Sequence, residues 1–127
     1  MQERQLYEYA VLRVVPRVER EEFLNIGVIL YCSGKGFLQA KFVEDCSRLH
    51  LLYPDFDTTI VAKYADAVQQ ICKGRKYGGF IGTQPASYRF RWLTANRSTI
   101  IQSSQVHPGL CVEPEETLQH LFQTLVL

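Results

Sequence analysis

The residues of this chain best suited to chemistry form a charged segment between two apolar runs near the N-terminus. They are Arg17, Arg20, Glu21, Glu22 and Asn25. Carboxylates beside arginines can position a polar ligand or hold a water molecule for acid–base catalysis. A structural interpretation is also open, because charged residues between strands commonly form a solvated turn in which an asparagine satisfies local backbone groups. Gly27, just beyond, permits close packing or a bulge in the following strand.

A second candidate site is the segment 87–93, in which aromatic residues alternate with arginines. Exposed aromatic rings beside cations bind single-stranded nucleic acids, because bases stack on the rings and phosphates meet the arginines. The alternation also fits an ordinary amphipathic strand with its aromatics in the core and its arginines in water. The aromatics are Tyr88, Phe90 and Trp92, and the arginines are Arg89 and Arg91. A net charge of only +1 argues against a dedicated nucleic-acid binder.

A third candidate is the basic, glycine-rich segment from Lys73 to Gly79, where a loop could contact phosphate. It lacks the residue spacing of a phosphate-binding P-loop, and it follows a predicted helix, whereas a P-loop follows a strand. We therefore interpret it as the C-terminal cap of that helix, whose dipole favours cations at this end.

The thiols give no support for metal or covalent chemistry. The chain has four cysteines, at Cys32, Cys46, Cys72 and Cys111. None of them forms a CxxC pair, and no histidine lies beside them at ligand spacing, so the sequence predicts no metal site. No histidine is visibly paired with a cysteine or serine to make a nucleophile. We predict neither a metal nor a cofactor.

The N-terminal residues and the thiols also bear on localisation. Residues 1–5 are polar, and the apolar run after them is interrupted by Glu8 and Arg13, which argues against a signal peptide. No apolar run approaches the roughly 18–20 residues of a membrane span. We therefore expect a cytoplasmic protein with reduced thiols and no membrane partner.

The hydrophobic pattern predicts the elements that must position these residues. Five segments have the pattern of strands: 6–15, 26–32, 37–43, 87–93 and 99–103. Both faces of the first are apolar, which predicts a central strand covered on both sides. Helices are predicted over residues 46–52 and 57–72 and from Pro114 onwards, and loops over 75–85 and 107–112. We expect the 75–85 loop to be the most mobile segment, because it contains three glycines.

These elements predict an α+β fold in one domain spanning residues 1–127. About five mainly antiparallel strands would form a sheet with two or three helices packed on it. A chain of this length buries about two thirds of its unfolded surface and needs no disulfide or metal to fold.

The first two predicted strands carry motifs that resemble those of a bacterial family. Residues 7–16 have the sequence YEYAVLRVVP, and residues 20–30 have the sequence REEFLNIGVIL. The family pattern is Y-x-Y-A-V-x-R-x-V-P followed by E-F-x-N-V-G-V-x-L. The chain is therefore similar to the family called domain of unknown function 3037. The resemblance continues more weakly through residues 37–40, 101–104 and 121–122, and so covers most of the chain.

The resemblance implies a small, stand-alone bacterial protein of the cytosol with no assigned activity. Members of the family are often encoded beside kinases of the HipA toxin type, which implies a partner of that kind. By position, the polar members of the family motif are Arg13, Glu22 and Asn25, with Gly27 behind them. Because a charge on an otherwise apolar strand must be paired or lie at the end of the sheet, we predict a contact between Arg13 and Glu22.

Two main hypotheses of function follow from the sequence and the resemblance. The preferred one is a non-enzymatic accessory or protein-interaction domain, whose contact surface is a sheet edge or the segment 75–85. The alternative is a small-molecule-binding protein or enzyme with a polar site around Arg13, Glu22 and Asn25, joined by Arg17 and Arg48. Binding of single-stranded nucleic acid is a second alternative, which the near-neutral charge disfavours.

Overall fold

The fold is an antiparallel sheet with helices on both faces, described over residues 3–127 by a computed structural model. Within that range the strands are Gln5–Val14 (β1), Leu24–Cys32 (β2), Phe37–Phe42 (β3), Ile101–Ser103 (β4) and His107–Cys111 (β5). The helices of the same range are Ser47–Leu52 (α1), Thr59–Lys73 (α2), Gly79–Gly82 (α3), Ala86–Leu93 (α4) and Pro114–Leu125 (α5). Met1 and Gln2, which belong to the predicted domain, lie outside the described residues.

The central strand is β1, as its two apolar faces predict. Along one edge it pairs with β2, which in turn pairs with β3. Two short strands share its other edge: β5 lies against residues 5–9 of β1, and β4 lies against residues 12–14. Every pairing is antiparallel, which confirms the predicted α+β class and mainly antiparallel sheet.

Two hydrophobic layers cover the sheet because β2 residues alternate between its faces. On one face α2 and α4 form a layer whose fully buried members include Leu12, Ile29, Val68 and Phe90. On the other face α5 forms a layer that includes Val28, Leu30, Leu118 and Phe122. A third hydrophobic cluster groups Leu49 of the short helix α1 with Val14, the last residue of β1, and Ile26 of β2.

The two longest helices begin at or close to the residues that the sequence predicts, and α2 also ends close to its predicted end. α2 starts just after Asp57, whose carboxylate accepts hydrogen bonds from the backbone N–H and hydroxyl of Thr59 at 3.0 and 2.7 Å. It ends at Gly74, whose φ of 80° lies in the left-handed region that favours glycine. Pro114 is the first residue of α5, where its missing N–H costs nothing. No helix of residues 3–127 combines the length and apolar character needed to cross a membrane.

A bulge in β2 sets the direction of the polar residues that precede it. Leu12 lies opposite Gly27, and the next pair along the ladder is Arg13 with Asn25. Ile26 is therefore the extra residue on β2, and such a residue shifts the alternation of side chains by one position. Asn25 points to the face covered by α5, whereas regular alternation from Gly27 would point it to the other face.

The prediction of a strand over residues 87–93 is wrong, because this segment is the helix α4. The residues that α4 turns to the core follow helical spacing: Ala86, Phe90 and Leu93. Arg89 does not face water but donates hydrogen bonds to the backbone oxygens of Ile71 and Cys72 at the end of α2, at 2.8 and 2.9 Å. The alternating platform on which the nucleic-acid hypothesis depended therefore does not form.

The two segments that were predicted as loops, 75–85 and 107–112, also contain regular secondary structure. Residues 75–78 form a 3-10 turn, and α3 follows it and packs against α2. Residues 107–111 form β5, although Pro108 and Gly109 argue against a strand. The reason is tertiary: without β5, the backbone groups along the first half of one edge of β1 would lack partners. Gly109 lies opposite Tyr7, whose ring occupies the space where a side chain would be.

Gly27 has a packing role that an alanine cannot fill. A Cβ atom there would lie 2.7 Å from Cδ1 of Phe42 and 2.9 Å from the backbone oxygen of Lys41. We expect Gly27→Ala to lower the free energy of unfolding by about 1–3 kcal/mol, as overpacked cores do. Urea unfolding followed by circular dichroism measures this change.

Gly36→Asn is the matched control for Gly27→Ala. Gly36 has a φ of 58°, which asparagine tolerates, and an added side chain meets no atom within 4 Å. We expect a change of less than about 0.5 kcal/mol for this variant. Equal losses for the two variants would contradict the close approach at Gly27.

Candidate functional site

The five predicted site residues do not converge on one place. Arg17 and Glu22 lie on the charged turn after β1 and line one cleft. Arg13 lies on the sheet and lines another. Asn25 and Arg48 reach the last residues of the chain at the end of α5. Each of these three places has its own geometry.

The charged turn is a 3-10 turn whose ion pairs are local and exposed. Arg17 Nε donates to Glu19 at 2.8 Å, and Arg20 Nε donates to Glu22. Because these side chains are exposed, such pairs contribute little to stability. The pKa of Glu19 is lowered, first by a hydrogen bond from its own backbone N–H and then by Arg17. The adjoining cleft has a volume of about 150 Å³. Its other side is bordered by Leu52, the last residue of α1, and by Tyr53, which follows it.

The predicted contact between Arg13 and Glu22 is wrong. Glu22 is occupied by Arg20, which is two residues away and reaches it within the turn. The guanidinium carbon of Arg13 instead lies 4.3 Å from the ring centre of Phe23. The negative face of an aromatic ring attracts a cation, so Phe23 takes the place that the prediction gave to a carboxylate.

Arg13 is the middle member of a polar row that crosses three strands. Its cross-strand partners are Asn25 on β2 and Gln102 on β4, and directly paired residues share one face of the sheet. Two atoms of this row, Nε of Arg13 and Oδ1 of Asn25, are buried and make no hydrogen bond within residues 3–127. Arg13 borders a cleft of about 380 Å³ together with Gln102 and Phe23.

Asn25 and Arg48 have a structural explanation. Nδ2 of Asn25 donates to the backbone oxygen of Leu125 at 2.9 Å, and Nη1 of Arg48 donates to that of Val126 at 3.0 Å. The last carbonyls of a helix have no partner inside the helix, and a cation at that end also interacts well with the helix dipole. These two side chains therefore hold the end of α5 against β2 and α1.

A groove between α2, α4 and β4 was not predicted from the sequence. Three large apolar side chains border it and remain exposed: Ile60 by 37%, Trp92 by 39% and Ile100 by 40%. The groove has a volume of about 360 Å³. Arg97 is the one charged side chain in its lining within residues 3–127, and its guanidinium carbon lies 4.6 Å from the ring centre of Trp92.

The groove runs beside an open edge of the sheet. The backbone N–H of Val15 donates to the oxygen of Ile100, and that of Ser104 donates to the oxygen of Val11. Residues 100, 102 and 104 therefore face β1, and by the alternation of an antiparallel ladder the backbone groups of residues 101 and 103 face outwards. Within residues 3–127, β4 pairs with no strand other than β1.

The groove escaped prediction because residues 87–93 have two periodicities. The alternation of Tyr88, Phe90 and Trp92 predicted a strand with Trp92 buried. The spacing of Ala86, Phe90 and Leu93 would have predicted the helix that forms. Ile60 of α2 also borders the groove.

The thiols are unsuited to nucleophilic catalysis. Cys32 and Cys111 are buried. Burial raises the pKa of the Cys72 thiol from 9.0 to about 12, although the nearby charge of Arg89 opposes the shift. A raised pKa leaves less of the reactive thiolate at neutral pH. No group of three or more His, Cys, Asp or Glu side chains within residues 3–127 is positioned to hold a metal ion.

The partly buried Cys72 thiol predicts a loss of stability in alkali. Its pKa is 9.0 when exposed and about 12 in the fold, so between these pH values the unfolded chain loses a proton that the folded chain keeps. The free energy of unfolding therefore falls as pH rises from about 9 towards 12. We expect Cys72→Ala to show a shallower fall in urea-unfolding experiments between pH 8 and 11. Parallel curves for the two proteins would contradict the partly buried, protonated thiol.

The contact between Arg48 and the end of α5 predicts a stabilising role. Arg48→Met keeps the apolar stem but loses the hydrogen bond to Val126, so we expect a loss of about 1 kcal/mol in the free energy of unfolding. Arg17→Met removes an equally long cation from an exposed pair and should change it by less than about 0.5 kcal/mol. Thermal or urea unfolding measures both, and equal effects would contradict the role of Arg48.

Comparison with known proteins adds one finding. The family model described as "Protein of unknown function (DUF3037)" matches residues 9–126, which include the second motif and all but the first two residues of the first. No curated protein and no solved structure is significantly similar to the chain.

Proposed function

We propose that this chain, which belongs to the DUF3037 family of proteins of unknown function, is a protein-interaction domain that binds an extended segment of a partner along β4. The observation that carries the proposal is the apolar groove at an open strand edge. Ile60, Trp92 and Ile100 are exposed together there, and clustered apolar side chains beside a free edge favour association with another chain.

The geometry of β4 favours an extended segment over a helix. The outward N–H groups of residues 101 and 103 can pair with an added strand, as in complexes where a peptide extends a sheet, while the oxygen of Ile101 already accepts a hydrogen bond from the hydroxyl of Thr99. Every second side chain of that strand would then point towards the groove beside Trp92. Backbone hydrogen bonds would supply affinity, and the groove would select apolar residues at alternate positions.

The charge of the groove defines the partner further. Arg97 lies at the groove with its guanidinium over Trp92, and the groove lining within residues 3–127 contains no carboxylate. The lining therefore favours a segment whose groove-facing residues are apolar and disfavours one that places a cation beside Arg97. The family resemblance implies a HipA-type kinase as the partner, and such a kinase is the first protein to test.

A peptide titration tests whether the groove accepts an extended segment. Trp92 is the single tryptophan of the chain, so its fluorescence reports on the groove directly. We expect a tryptophan-free peptide of alternating isoleucine and glutamate to shift its emission to shorter wavelength. Ile100→Asp should weaken binding by about tenfold or more, which corresponds to at least 1.4 kcal/mol. An unchanged emission at saturating peptide would contradict the proposal.

Affinity purification with a HipA-type kinase of the same host tests the partner. We expect the tagged protein to retain the kinase, and Ile100→Asp to release it. Leu51→Asp is the matched control, because Leu51 is 86% exposed on α1 and lies outside the groove. Retention by the Ile100→Asp variant would contradict the assigned surface. A dimer of the protein that Ile100→Asp abolishes would identify a second copy as the occupant and overturn the proposal of a different partner.

A further inference from the structure

We propose that Arg13 anchors a binding site for a small organic monocarboxylate on the α5 side of the sheet. The cleft bordered by Arg13, Phe23 and Gln102 holds a guanidinium that the fold positions but does not neutralise. This site is separate from the groove beside Trp92, which lies on the α2 and α4 side, so either proposal can fail without the other.

Arg13 differs from the other arginines of the fold. Within residues 3–127, the arginines of intermediate exposure are Arg13, Arg89 and Arg97. Arg89 donates to three backbone oxygens, and Arg97 donates to the backbone oxygen of Trp92 at 2.7 Å. Arg13 makes neither a hydrogen bond nor an ion pair within the described residues. Its guanidinium contacts the ring of Phe23, but a partly buried charge without a hydrogen-bond acceptor is costly, so the site favours a ligand that supplies one.

The guanidinium of Arg13 presents one edge to a ligand. Its Nε atom is buried, whereas its two Nη atoms are neither buried nor bonded to any residue of 3–127. Two adjacent Nη atoms match the two oxygens of a carboxylate, which accepts a pair of parallel hydrogen bonds. The guanidinium carbon lies 4.3 Å from the ring centre of Phe23, and this contact holds the arginine in place before a ligand arrives.

The lining of the cleft selects the class of anion. Its volume of about 380 Å³ suits a small organic molecule. Val15, Val18 and Phe23 supply apolar walls, and the lining carries one positive charge, on Arg13, and one negative charge, on Glu21. Because Coulomb repulsion scales with charge, Glu21 would repel a phosphate dianion about twice as strongly as a monocarboxylate at the same distance. A monocarboxylate with a short apolar chain satisfies Arg13 and fills the apolar part of the cleft.

Nuclear magnetic resonance of the ¹⁵N-labelled protein tests this site. We expect 3-methylbutanoate to shift the Nε–Hε signal of Arg13, with a dissociation constant on the order of 1 mM, as a single ion pair with a small ligand gives. Inorganic phosphate at equal concentration should leave the signal unchanged. Arg13→Met should abolish binding; for this variant, binding is measured from the backbone signals of β1 and β4. Arg17→Met should leave binding intact, because Arg17 lies outside the cleft.

A second variant keeps the test valid if Arg13→Met fails to fold. Gln102→Glu places a carboxylate directly across from Arg13, where it would occupy the guanidinium and lower the ligand's affinity at least tenfold. Gln102→Ala, which removes the same amide without adding a charge, should retain most of the affinity. Equal binding of phosphate and 3-methylbutanoate, no shift with either, or unchanged affinity in Gln102→Glu would each overturn the proposal.

Discussion

The structure depends on one constraint: β1 must be hydrogen-bonded along both edges and covered on both faces. β2 pairs with one edge, but two short strands divide the other, and the ladder is interrupted between them. Ser104 bridges this break, because its hydroxyl accepts a hydrogen bond from the backbone N–H of Val11 at 2.8 Å while its own N–H donates to Val11. A side chain thus replaces a strand at the one point of β1 where the partner strand changes.

The bulge at Ile26 links the sheet to the helix on its second face. It points Asn25 towards α5, where the amide holds the carbonyl of Leu125. The same shift puts Asn25 in one row with Arg13, and it leaves Oδ1 of Asn25 without a hydrogen-bond partner in the described residues. Asn25 and Gly27 of the family motif therefore have definite structural roles, whereas the charge of Arg13 contacts an aromatic ring and no carboxylate within the described residues.

The sequence pattern predicted those strands and helices whose formation depends mainly on residues nearby in the chain. The first three strands, α2 and α5 have clear periodicity, caps or a turn, and the structure has them within a few residues of the prediction. The strand β5 was not predictable in this way, since Pro108 and Gly109 oppose a strand and only the open edge of β1 calls for one. For α4 two periodicities competed, and burial of Phe90 and Leu93 against the sheet decided for the helix. The need of Arg13 for a partner was evident from the sequence, but its aromatic partner was not, because that contact depends on how the turn brings Phe23 back to β1.

The two candidate surfaces lie on opposite faces of the sheet but share the strand β4. Gln102 borders both the groove beside Trp92 and the cleft of Arg13. This strand has three residues and pairs only with β1 among the described residues, so few hydrogen bonds hold it in position. A segment added to its open edge would pair its outward backbone groups and limit its movement. A partner that orders β4 would then also fix the position of Gln102 in the wall of the Arg13 cleft. This short strand is therefore where the two surfaces are physically connected.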